Sequence, residues 1–116
     1  MIRRKSDMNI EQREHMRGGP GTVSITRMAE EDEIENGRRF ARMVMPAGAG
    51  IGPHTHDGET EYYAVLSGEG EVEEEDGTKP VGPGDIVITG GGASHSITNT
   101  GSEPLEVLAV IIYDEK

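Results

Sequence analysis

Apolar residues recur along this chain in short bursts of period two, cut apart by glycine, proline and aspartate. No long stretch carries a convincing helical period. Residues 22–28, 38–45, 61–66, 70–75, 78–81, 86–89, 94–98 and 105–113 read as strands, and 8–13 as a short strand or an irregular helix. The breaks between them carry turn chemistry: Gly18-Gly19-Pro20-Gly21, Ser67-Gly68, Pro83-Gly84-Asp85, Gly90-Gly91-Gly92 and Thr100-Gly101-Ser102. Asn36-Gly37 and Asp76-Gly77 are two-residue hairpin signals. The strand over 38–45 stops at Pro46, and the last strand is apolar on both sides. Nine or ten short strands at regular spacing predict an all-β fold, an antiparallel barrel or double-sheet jelly roll.

Length sets the domain count. The 116 residues fit one domain, read as an N-terminal arm over 1–21 and a barrel over 22–116. Apolar residues are only 33% of the chain, with one phenylalanine and no tryptophan, so the core is thin. Sharing surface with a second copy would support it, and a homodimer is expected, with the arm packing at the dimer contact.

Charge narrows the partners. The formal net charge is −11, and residues 1–21 hold five of the eleven basic groups against three acids. The rest of the chain therefore carries six basic and nineteen acidic groups. A body that acidic repels phosphate backbones, so no nucleic-acid partner is expected. The six acids between Glu69 and Asp76 read as a solvated hairpin tip. There is no cysteine, which excludes disulfides and thiolate metal sites. The N-terminus lacks the apolar core of a signal peptide, and the apolar run 107–113 is too short to span a bilayer, so a cytoplasmic location with no membrane partner is expected.

Candidate chemistry lies with the histidines. His54 and His56 form an H-x-H pair in a β context, where residues two apart point the same way. Two such imidazoles stand about 6 to 7 Å apart along the strand and can converge on one ion. Glu59 and Glu61 follow, but Asp57-Gly58 interrupts the strand and resets its parity, so spacing does not choose between them.

Two longer patterns do. Gly48, His54, His56, Glu61 and Gly68 fit G-x5-H-x-H-x4-E-x6-G, the first motif of the cupin family, at every specified position. Gly84, Gly92, His95 and Asn99 fit the second, G-x5-P-x-G-x2-H-x3-N, with Gly90 standing where the pattern has proline. The motifs span nearly half the chain, with the short linker 69–83 between them. The chain therefore resembles the small single-domain bacterial cupins, whose fold is a double-stranded β-helix. That resemblance implies metal ligation by His54, His56, Glu61 and His95. It implies one divalent transition ion per chain, among iron, manganese, nickel, copper or zinc. Three imidazoles and a carboxylate suit such an ion, and its open positions would receive a ligand. The glycine at position 90 puts only the stiffness of the turn before His95 in question.

Other polar residues are weighed against that set. Tyr63 and Val65 share a face with Glu61 and should point inward, Tyr63 either reaching the ion's neighbourhood or packing the core. Tyr62, Ala64 and Leu66 then face the other sheet or a partner chain. Arg42 would grip a substrate carboxylate if it faced inward with Phe40 and Val44, but surface exposure is the preferred reading. Tyr63 and Arg42 are the catalytic candidates. Met43 and Met45 are read as core filler, His15 as solvent-exposed, and Glu59 and Asp57 as exposed loop acids. Asp85 and Asn99 should close turns through their side chains. With no serine elbow, phosphate loop or cysteine nucleophile, the metal is the only chemistry on offer. The resemblance points to a metalloenzyme, a dioxygenase or oxalate decarboxylase-like protein, acting on a small anionic or oxygen-rich molecule. The alternatives are a non-catalytic binding or sensor cupin and a sugar isomerase.

Overall fold

The computed structural model describes residues 1–115. Ten strands make up the fold: β1 (Asn9–Glu14), β2 (Thr22–Arg27), β3 (Gly37–Met45), β4 (Gly50–Thr55), β5 (Glu59–Ser67), β6 (Gly70–Glu74), β7 (Gly77–Val81), β8 (Ile86–Gly90), β9 (Ser94–Asn99) and β10 (Leu105–Tyr113). Among the described residues the remaining elements are short 3-10 turns at Lys5–Asp7, before β1, and at Met16–Gly18 and Glu31–Glu33. All pairings are antiparallel, in a six-stranded sheet ordered β1-β2-β3-β10-β5-β8 and a four-stranded sheet ordered β4-β9-β6-β7. This is the jelly roll that the strand spacing predicts. No helix among the described residues is long and apolar enough to cross a membrane.

Period-two patterning decides which face of each strand is buried. In β10, Leu105, Val107, Ala109 and Ile111 point inward and are buried, while Leu108, Val110 and Ile112 lie half-buried on the outer face. Its neighbour β3 turns Ala41, Met43 and Met45 inward, so Phe40, Arg42 and Val44 take the outside. The two methionines are core filler, and the outward reading of Arg42 holds. Val23, Ile25, Ile51, Val65, Val72 and Ile97 complete the core from the other strands. Each fully buried aliphatic side chain contributes about 1.5–3 kcal/mol relative to exposure.

The first residues belong to the same sheet, because β1 pairs with β2 along its whole length. The chain then crosses β4, where the Gly50 N–H donates to the Pro20 carbonyl at 2.9 Å. At position 52 a Cβ would land on the Arg17 carbonyl oxygen. Glycine there lets the two backbones meet, and the crossing sets Arg17 over one end of the barrel.

Asn99 and Asp85 do close turns. The Asn99 amide donates to the carbonyls of Met45 (2.9 Å) and Glu103 (2.8 Å), and its oxygen accepts the Gly101 N–H (2.8 Å). The Asp85 carboxylate accepts the Gly82 N–H at 2.8 Å.

Candidate metal centre

Two rows of side chains, one from each sheet, meet at one end of the barrel. In the four-stranded sheet His54 and His95 are direct cross-strand partners. In the six-stranded sheet, register places Arg39, Ile111, Glu61 and Thr89 on one rung, across β3, β10, β5 and β8. β5 begins at Glu59, so Glu59, Glu61, Tyr63 and Val65 all face inward. His56, the residue just after β4, is held by its N–H donating to the Ala93 carbonyl (3.0 Å) and its carbonyl accepting the Gly92 N–H (2.8 Å). The turn before His95 is thereby fixed through backbone bonds without the family's proline. Gly90 pairs with Thr60 on the neighbouring position, and a Cβ there would meet the Thr60 side chain, so glycine suits it.

Four ligand atoms converge. His56 Nε2 lies 2.8 Å, His95 Nε2 3.0 Å and His54 Nε2 3.4 Å from Glu61 Oε1. His95 Nε2 stands 3.1 Å from that of His56 and 3.0 Å from that of His54. Ligands about 2.1 Å from a common ion are separated by about 3.0 Å at right angles and about 3.4 Å in a tetrahedron. The cluster therefore has the spacing of a mononuclear site. His56, Glu61 and His95 are buried and His54 nearly so.

The outer hydrogen bonds explain why a cation fits. His54 Nδ1 lies 2.8 Å from the Gly52 carbonyl and His56 Nδ1 2.6 Å from Glu59 Oε2. Both partners only accept, so each Nδ1 carries the proton and each Nε2 presents a lone pair inward. His95 Nδ1 pairs with the Thr89 hydroxyl at 2.7 Å. Lone pairs aimed at a carboxylate oxygen across about 3 Å repel unless a cation stands between them. With no cation between them, these contacts hold only if imidazole protons turn towards Glu61, and the titration tendencies are those of that proton-filled cluster. Burial opposes ionisation of Glu61, but the three imidazoles around it outweigh burial and hold its carboxyl well below the usual range. Burial lowers the His95 pKa, with Glu61 opposing. For His56 burial also lowers, but Glu61 and Glu59 together carry the net shift upward.

Glu59 is not the exposed loop acid that the sequence suggested; Asp57 is. Glu59 is buried, and it accepts the Arg38 fork through both oxygens, from Nε at 2.7 Å and Nη2 at 2.8 Å, besides the His56 Nδ1–H. The Arg38 guanidinium holds its carboxyl low, against burial and with help from His56. Strand parity with Glu61 was the available signal for Glu59. Arg38 had none: it is the extra residue of a β-bulge opposite Ile111 and Ile112, which re-aims its side chain towards Glu59. Glu59→Ala should leave the His56 ring unsteered and weaken metal binding about 10–100-fold, measured by chelator competition, with Asp57→Ala as the unchanged control.

Tyr63 lies buried, its ring stacked on His95 at 5.0 Å between centroids. Burial and the neighbouring Glu61 push its phenol well above the ordinary range, so it stays neutral. Arg42 does not reach the cluster, since Nη1 donates to Glu106 Oε1 at 2.7 Å on the outer face. His15 is exposed on the arm. The cavity beside the cluster is small, about 30 Å³, and its lining includes Arg13, Arg17, Arg38, Arg39 and Tyr63. Four of the chain's eleven basic groups thus gather at this one place. Only Arg13 and Arg17 lie in the basic arm noted in the sequence, and nothing in the local pattern marked Arg39.

Comparison with known proteins gives the same setting. The family model described as cupin domain matches residues 41–111. A Thermotoga maritima protein named oxalate-binding protein is 42% identical over 113 residues, 97% of this chain and 93% of that one. A crystal structure of a Thermotoga maritima protein described as a predicted oxalate decarboxylase superposes with a TM-score of 0.90, at 42% identity, covering 97% of this chain and 99% of the other. The cupin domain of an XRE family transcriptional regulator from Enterobacter cloacae shares the fold, with a TM-score of 0.70 at 22% identity over 80% of this chain and 98% of that one.

Proposed function

The chain belongs to the cupin family, and within it we propose a metal-dependent protein that binds oxalate or a similarly small dicarboxylate. The observation that carries this reading is the pairing of the His3Glu cluster with four arginines around one small cavity, in a chain of net charge −11. Arg38 and Arg13 are paired with Glu59 and Glu11, which leaves Arg17 and Arg39 as the positive charge offered to a ligand beside the ion. The relative named for oxalate binding supports the same ligand. His54, His56, Glu61 and His95 would hold one divalent ion, which supplies a Lewis-acid centre for a carboxylate. The size of the cavity favours a ligand of few atoms.

A decarboxylating activity is the second reading, suggested by the description of the 42% identical structure. Conversion of oxalate to formate and carbon dioxide consumes one proton, and Tyr63 is the neutral O–H group lining the cavity. Calorimetric titration of manganese-loaded protein should show one oxalate per metal and none in the metal-free protein. Formate in the same mixture would establish turnover, whereas heat without formate would establish binding alone. No heat with any metal would refute oxalate as the ligand.

We also infer that the outer face of the six-stranded sheet receives a second copy of the chain. Ile86, Ile88, Tyr62, Leu66 and Phe40 are exposed there, on β8, β5 and β3.

A further inference from the structure

We propose that Arg39 is the group that grips the free carboxylate of the bound dianion and so selects dicarboxylates over monocarboxylates; this rests on the metal-dependent oxalate reading above. Three observations converge on it. First, register puts Arg39 on the rung of Glu61, two strands away on the inner face, with Ile111 between. That separation is about 10 Å between backbones, within reach of an arginine stem and a small ligand together. Second, Arg39 lines two cavities, the small one at the cluster and an outer one of about 170 Å³ that also touches Arg27, Glu30 and Glu31. Arg38 lines both as well, but its fork is already held by Glu59.

Third, Arg39 is uncommitted. Its Nε is a buried polar atom without a hydrogen-bond partner, and it forms none of the ion pairs among the described residues. Arg38 is held by Glu59 and Arg13 by Glu11. A buried donor left unpaired is costly, and a guanidinium more so than a neutral group. An acceptor supplied by the ligand removes that cost. The planar guanidinium fork presents parallel N–H groups, the arrangement that a carboxylate meets with both oxygens. A monocarboxylate bound to the ion has no second carboxylate for that fork, so Arg39 adds affinity for the dianion alone.

The test compares wild type, Arg39→Gln and Arg39→Lys, each loaded with manganese, by elemental analysis and by titration with oxalate and with acetate. Arg39→Gln should keep about one metal per chain yet bind oxalate at least tenfold more weakly, with its acetate affinity changed less than threefold. Arg39→Lys should recover part of the loss, because it restores charge without the fork. Oxalate binding equal to wild type in Arg39→Gln would overturn the assignment. Loss of the metal in that variant would also overturn it, by making Arg39 structural. If wild type binds no oxalate, the functional reading itself falls and the role of Arg39 falls with it.

Discussion

His95→Ala should abolish metal retention, taking the protein from about one ion per chain to almost none by elemental analysis, while His15→Ala retains it. The expectation follows from the crowding at the cluster. His95 Nε2 approaches His54, His56 and Glu61 Oε1 at 3.0–3.1 Å, so its removal opens the site on three sides at once. Loss of a supporting outer hydrogen bond costs about 10–100-fold in affinity, and loss of a ligand should exceed that. Thermal unfolding should report the same difference. Metal at a thousandfold excess over Kd stabilises wild type by about 4 kcal/mol, worth roughly 10–20 °C in a chain of this size. The variant should show almost none of that increment. The metal-free forms should lie closer together than a core deletion would suggest, because the variant also loses a lone pair that repels its neighbours. Undiminished metal content in His95→Ala would refute the ligand set.

Much of this was legible in the sequence, for identifiable reasons. Strand positions followed from period two and turn residues, since β10 needs both faces apolar only if it lies centrally, as it does between β3 and β5. The histidines and Glu61 followed from the two cupin motifs. Glu59 was misread because Asp57-Gly58 suggested a loop, although β5 starts immediately after it. The arginines at the cavity were illegible for a different reason. Arg38 is turned by a bulge defined by the register against β10, Arg39 by its rung, and Arg17 by a backbone crossing at Gly52. Each depends on contacts between residues far apart in the chain, which local pattern does not contain. The parity of β3 is similar: alternation showed that Arg42 stands opposite Met43, and packing decided which of them is inside.

Replacing both Ile86 and Ile88 with lysine should convert a dimer of the 12.5 kDa chain into a monomer, read by light scattering coupled to size-exclusion chromatography, with metal content unchanged. The outward positions of β8, β5, β10 and β3 form rows: Ile88, Tyr62, Val110 and Phe40 on one, Ile86, Ala64, Leu108 and Arg42 on the next. Ile86 is 58% exposed, Ile88 62% and Leu66 50%. Four strands about 4.8 Å apart and about 20 Å long project roughly 400 Å² of flat area, about half the ~800 Å² of accessible surface per partner in a standard interface. Charge points to the occupant. Of the chain's 22 acids, only Glu106 lies at an outward position of these four strands, and Arg42 pairs with it. Two copies at net charge −11 repel one another, so they can associate only through a face cleared of acids. In a two-fold contact each position occurs once per copy, so the two substitutions set four lysines across the interface and add like-charge repulsion to the lost apolar area. The histidine cluster lies on the opposite, inner side of the same sheet, so the substitutions leave it intact. A wild type that stays monomeric into the millimolar range would show that this face serves some other partner.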